Sequence, residues 1–286
     1  MRRLLLIVLF LGIPCLHAAS AEVALEYLGE SRTPLENPHD LKLSPDGTRL
    51  FVADVGNNRV TVLDSETLAL VYVFGADHQS GTHDVDFDKD GRAYVADTHN
   101  SRVTIYTLND DTASLAGVLK GGVRGPEGVL VHPNGLVYVA GAWSGNVVAY
   151  DKGRVAVELT GLSSPHDLEL APDGNIWLAD AGNDRMLLLN PDLKILRELA
   201  GAPYNFNGVR YQDVLADGTL IAADKNTHQV KIIAADGTLL KVIGSGEPKK
   251  GPYDFTTPEG VETQDGILWI SDSGNDRIVK YRLSVK

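Results

Sequence analysis

One phrase recurs six times along the chain: an apolar strand opening, an Asp-Gly or Asn-Gly turn, and an aliphatic run that in most copies ends in Asp. In its clearest copies the phrase closes on Gly-Asn-x-Arg, as in Pro38-His39-Asp40 through Asp54-Val55-Gly56-Asn57-Asn58-Arg59, Pro165-His166-Asp167 through Asp180-Ala181-Gly182-Asn183-Asp184-Arg185, and Pro258-Glu259-Gly260 through Asp272-Ser273-Gly274-Asn275-Asp276-Arg277. Self-similarity at a period of about 40 residues is the signature of β units stacked radially around an axis. Each unit reads as four short strands. The first alternates, as in Leu41-Lys42-Leu43, and is joined to the second by a turn whose residues tolerate positive φ: Asp46-Gly47, Asp90-Gly91, Asn134-Gly135, Asp173-Gly174, Asp217-Gly218 and Asp265-Gly266. The last unit ends after its third strand. Ala24 to Gly29, at the other end of the chain, matches the fourth-strand pattern of Val71 to Gly75. The expected fold is all-β, a six-bladed propeller whose ring is closed by the N-terminal strand completing the last blade. Closure of this kind leaves no strand edge open between the first and last units.

The first 21 residues read as a leader. Met1-Arg2-Arg3 is basic, Leu4 to Ile13 is apolar, and Ala19-Ser20-Ala21 fits a cleavage site. The apolar run is too short for a membrane span. The reading is thus a signal peptide over 1–21 and one propeller domain over 22–286, exported to the periplasm or secreted, monomeric, and without membrane insertion. Cys15 is the only cysteine, so the mature chain has neither a disulfide nor a thiolate metal site. Removing the leader takes the formal net charge from −12 to −14. Such a surface repels nucleic acid.

In a propeller the first strand of each blade borders the central channel. Chain direction reverses at the first turn, so the start of that strand and the loop between the second and third strands share one face. By this register His39, His83, Glu127, His166, Asn207 and Glu259 form a ring at the channel mouth, with His99, Trp143, Lys225 and His228 in the loops beside it. Three histidines in six equivalent places, from 8 in the whole chain, exceed what composition supplies. Imidazoles and carboxylates converging around an axis are able to ligate a divalent metal. Duplication of one ancestral histidine, or a wet polar channel lining, also produces this pattern. Blade three departs from the template, with Gly141 for Asp and Val147 for Arg. It carries Trp143 at its tip, a candidate for ligand stacking.

The repeats resemble those of NHL-repeat propellers. Among these, the resemblance extends distantly to the peptidyl-hydroxyglycine amidating lyases, whose zinc is held by histidines at the starts of first strands in alternate blades. The corresponding set here is His83, His166 and Glu259, with Glu259 in place of a third histidine and Trp143 where the lyase has a catalytic tyrosine. The resemblance implies a divalent metal, zinc first and calcium second, with Asp84 and Asp167 as supporting carboxylates. Glu127 or His39 would take a proton, Lys225 would stabilise developing negative charge, and Trp143 and Asn207 would contact a small-molecule or peptide ligand. The function expected from this set is a metal-dependent lyase or hydrolase. The alternative is a non-catalytic periplasmic propeller that senses a ligand or binds a protein partner, through Trp143 or the loop 246–255.

Overall fold

The computed structural model describes residues 22–285; the expected leader and Cys15 lie outside the described residues. The chain forms six four-stranded antiparallel sheets. Blades one to five are each built from four consecutive strands, starting at Pro38–Leu43, Thr82–Phe87, Pro126–Val131, Pro165–Leu170 and Val209–Val214. Blade six takes Pro258–Gln264, Ile267–Asp272 and Arg277–Val285, and its fourth strand is Val23–Glu30 from the N-terminus. This closing strand pairs antiparallel with the last one, Val23 opposite Val285 and Glu30 opposite Val279. The expected six blades and their closure are what the chain adopts.

Successive side chains point to opposite faces, and in the middle strands both faces are buried against neighbouring blades, where Leu, Ile and Val pack in clusters. Each such residue is worth about 1.5–3 kcal/mol when fully buried. The polar template residues do the joining. Asp54 accepts from the Glu36 amide at 2.8 Å, from Asn57 at 3.0 Å, from Arg59 at 2.9 Å and from Thr61 at 2.8 Å. Asp97, Asp180 and Asp272 hold Arg102, Arg185 and Arg277 in the same way.

The variable residue of Gly-Asn-x-Arg is not idle. Asn58, Asp184 and Asp276 sit at φ 52–54°, a left-handed conformation that Asn and Asp tolerate. Their side chains accept the amide of the following blade, at Gly81, Gly208 and Asn37, 2.7–2.8 Å away. The motif is therefore an inter-blade staple. The segment 246–255 is also anchored rather than free: Phe255 is fully buried, the Tyr281 hydroxyl donates to the Pro252 carbonyl at 2.7 Å, and Arg277 donates to the Gly251 carbonyl at 2.8 Å.

Candidate functional site

A one-residue bulge opens the first strand of every blade; in blade one it lies between Pro38 and Leu41. It turns consecutive residues into the channel, and the channel is lined in tiers.

The mouth tier comprises His39, His83, Glu127, His166, Arg210 and Glu259. Arg210 replaces the expected Asn207. In blade five Val209 pairs with Asp224 as Pro38 pairs with Asp54, so the ladder places residue 210 on the ring. Asn207 sits exposed in the preceding loop, where its amide donates to Asp224 and its side-chain oxygen accepts from Asn226. The spacing carried this signal: seven residues separate His39 from Asp46, His83 from Asp90, Glu127 from Asn134 and His166 from Asp173, and the same step back from Asp217 reaches Arg210.

His83 is held in one tautomer. Its Nδ1 lies 2.9 Å from the Gly81 carbonyl and 2.7 Å from the Thr98 hydroxyl, whose own proton goes to the Pro126 carbonyl at 2.6 Å. Both neighbours of Nδ1 are acceptors, so Nδ1 carries the proton and Nε2 keeps its lone pair, 4.0 Å from Glu127 Oε2. Burial pushes the His83 imidazolium below its usual pKa, outweighing the attraction of Glu127. His39 is pushed down further, by burial and then by the nearby His83 and Lys225. The His39 and His83 rings meet edge to face, 4.6 Å between centroids.

Opposite them the ring is charged. Glu127 Oε2 is 2.6 Å from His166 Nε2. Burial would raise its carboxyl pKa, but His166, His83 and His39 together hold it well below the usual range. Arg210 reaches across to His166 and lies 3.5 Å from Glu259. Glu259, wholly buried, has Lys225 Nζ at 2.5 Å and His39 Nε2 at 3.8 Å. These are charge contacts poorly aligned for hydrogen bonding, and both Glu259 oxygens, Arg210 Nε and His39 Nδ1 remain buried without a hydrogen-bond partner. Unsatisfied buried polar atoms are costly, and four of them in one tier leave hydrogen-bonding capacity for a water, an ion or a polar ligand.

Two of the trio His83, His166 and Glu259 are taken up by other partners. His166 is engaged by Glu127 and Glu259 by Lys225, and the Arg210 guanidinium lies against His166 where a metal cation would have to approach. Among the described residues no three His, Cys, Asp or Glu side chains are arranged to hold a metal ion.

Tyr211 floors the mouth. Its hydroxyl crosses the channel to the Glu127 carbonyl at 3.0 Å, and its ring lies 6.5 Å from that of His39 and 6.4 Å from that of His166. Asp40, Asp84 and Asp167 share its tier. Asp84 and Asp167 accept the Val129 and Gln212 amides of the next blade at 2.5 and 2.8 Å. The supporting carboxylates thus tie blades together. Gly128 and Gly260 complete the tier, and a Cβ at either would strike the backbone of the next blade at His166 or His39.

Below them, Lys42 stands among Asp86, Glu169, Asp213 and Glu262, with its Nζ 2.6 Å from Glu169 and 3.7 Å from Glu262. A cavity of ≈ 10 Å³ between these tiers approaches the room of one water. Sequence reading passed over this layer because each of its residues occupies an ordinary polar place in an alternating strand.

Asp84 shares a hydrogen bond with Asp40, and burial pushes its pKa up to about 6. The folded state therefore retains a proton that the unfolded chain loses near pH 4, and this stabilisation disappears as pH rises from about 4 through 6. Asp84→Asn mimics the protonated acid and does not titrate. Its stability relative to the parent should rise across that window to a plateau of at most about 3 kcal/mol above pH 6. Urea unfolding of both proteins at pH 4.5, 6 and 7.5 measures it; a pH-independent difference would remove Asp84 as the titrating group.

The NHL repeat family matches residues 83–106. Among solved structures the chain is similar to a protein of unknown function from Bacteroides thetaiotaomicron, with TM-score 0.73, 13% identity, and coverage of 92% of this chain and 76% of that one. It is also similar to a streptogramin B lyase, with TM-score 0.66, 14% identity and coverage of 92% and 98%. Virginiamycin B lyase from Staphylococcus aureus follows, with TM-score 0.65, 13% identity and coverage of 92% and 100%. No curated protein matches the chain. At such identities the likeness is one of fold: the chain is a six-bladed propeller carrying an NHL repeat in its second blade.

Proposed function

We propose that this propeller is exported and that its channel mouth binds a small carbonyl-bearing ligand and cleaves it by elimination, as a lyase. The observation that carries the reading is the opposition of a neutral base to fixed cations across one ring. His83 presents an unprotonated Nε2, while Arg210, whose Nε is buried without a partner, and Lys225 stand on the far side beside Glu259. In the reaction His83 Nε2 takes the proton α to the carbonyl, and that electron pair becomes a carbon–carbon double bond. The bond to the β leaving group breaks, and the leaving group receives the proton back from the His83 imidazolium. Arg210 and Lys225 stabilise the negative charge that develops on the carbonyl oxygen. Glu127 holds His166, and Glu259 holds both cations in place. The likeness in fold to streptogramin B and virginiamycin B lyases supports the reaction class.

The test is an ultraviolet assay for new conjugated alkenes across a panel of β-substituted carbonyl compounds. Arg210→Gln should lower the rate roughly 10²–10³-fold, the cost of losing one preorganised electrostatic partner. Running the assay with added zinc, with added calcium and with chelator registers any contribution of a divalent cation. Binding without turnover for every compound would instead favour a sensing propeller.

A further inference from the structure

We propose that Trp143 is a stacking platform at the rim of the mouth, so that the ligand carries a planar apolar ring beyond its carbonyl head. This rests on the mouth being the ligand site.

Blade three abandons the template of its neighbours without losing the bonds that the template makes. With Gly141 in place of the Asp, the Ser144 hydroxyl accepts the Arg124 amide at 2.9 Å and donates to Asn146 at 2.5 Å. The ladder puts Asn146, not Val147, in the place of the template arginine, and it donates to the Gly122 carbonyl at 2.8 Å, a loop contact of the kind those arginines make. The structural task is thus rebuilt from other residues, and the altered loop is free to present an indole at its tip.

That indole is seated. Its ring lies nearly parallel to the His99 imidazole, 18° apart with 5.8 Å between centroids. Gly125, at φ +58°, passes directly beneath it: a Cβ there would stand 2.4 Å from the indole carbons. His99 in turn lies 6.5 Å from the His83 ring, so it links base and indole, ring beside ring. Yet 51% of Trp143 remains exposed, whereas Trp177 and Trp269 are buried at 6% and 4%. A large aromatic held by His99 and Gly125 yet half exposed at the rim of a polar mouth is an arrangement suited to binding a ring-bearing ligand by stacking.

The experiment uses two peptides, Ac-Gly-Gly-Gly and Ac-Phe-Gly-Gly, which share amide carbonyls and a carboxylate and differ by one aromatic ring. Affinities are measured by calorimetry. Acrylamide quenching of tryptophan fluorescence reports chiefly on Trp143, the exposed one of the three. In the parent protein the ring-bearing peptide should bind about tenfold more tightly, equivalent to about 1.4 kcal/mol, and shield Trp143 from quencher. Trp143→Leu should abolish that advantage and leave the affinity for Ac-Gly-Gly-Gly unchanged, while Arg210→Gln weakens both peptides. Equal affinities in the parent, or a ring advantage that survives Trp143→Leu, would overturn the platform and leave the mouth reading standing. Binding of the ring peptide that needs Trp143 but ignores Arg210 would uphold the platform and overturn the cationic anchor. Failure of both peptides to bind overturns both.

Discussion

His83→Gln should reduce elimination activity by roughly 10²–10⁴-fold while the protein stays folded. Glutamine retains an amide that can donate toward the Gly81 carbonyl, so the local hydrogen bonding survives, but it offers no basic nitrogen where Nε2 stood. The pH profile makes the test specific. Burial lowers the His83 pKa below that of a free imidazole, so the base is neutral and active at pH 7. Activity should fall only on the acid side, with a limb centred below the usual histidine value of about 6.5. The variant's residual rate should lose that limb. A variant that keeps more than a tenth of the parent rate, or a parent limb centred above 6.5, would remove His83 from the base's role.

Lys42→Met should destabilise the fold by about 3 kcal/mol or more at pH 8, and by much less at pH 5. Burial works against the charge on Lys42. Glu169, Glu262, Asp86 and Asp213 more than offset it and hold the ammonium well above its usual pKa. About a fifth of the side-chain surface remains open, toward the channel, and this places the expected loss at the lower end for a buried pair. Methionine preserves most of the apolar stem, so packing changes little. What disappears is the cation among the carboxylates of that tier.

Without Lys42 those carboxylates face one another with no counter-charge. Glu169, pushed up to about 7 by burial, and Glu262, also raised by burial, take up protons as pH falls, and the need for the lysine declines with them. The sign follows from the raised folded values: the protonated carboxyls contribute stability at low pH that vanishes as pH rises through the folded pKa. Thermal unfolding of parent and variant at pH 5 and 8 decides the matter. A loss of equal size at both values would assign the effect to packing, and no loss at pH 8 would refute the counter-ion role.

The same contrast between ring and tier shows what was legible in the chain. Periodicity alone determined the six blades, the Asp-Gly hairpins, the closure by Val23–Glu30, and the presence of His39, His83, Glu127, His166 and Glu259 at one height. Radial repetition converts equal sequence positions into equal positions around an axis, so no long-range contact had to be known. Blade five was misread because Val209-Arg210 lacks the Pro-His or Pro-Glu cue; only its ladder with Asp224 aligns it.

Partner choice across the channel was decided by the tertiary structure. Nothing in the repeat says that Glu127 turns to His166, that Glu259 is shared by Lys225 and Arg210, or that Trp143 lies on His99. Those pairings depend on distances across the axis and on the reach of side chains from different blades. Periodicity specifies height and angle around the ring; the closed fold alone sets the separations across it, and with them the charges that a ligand meets.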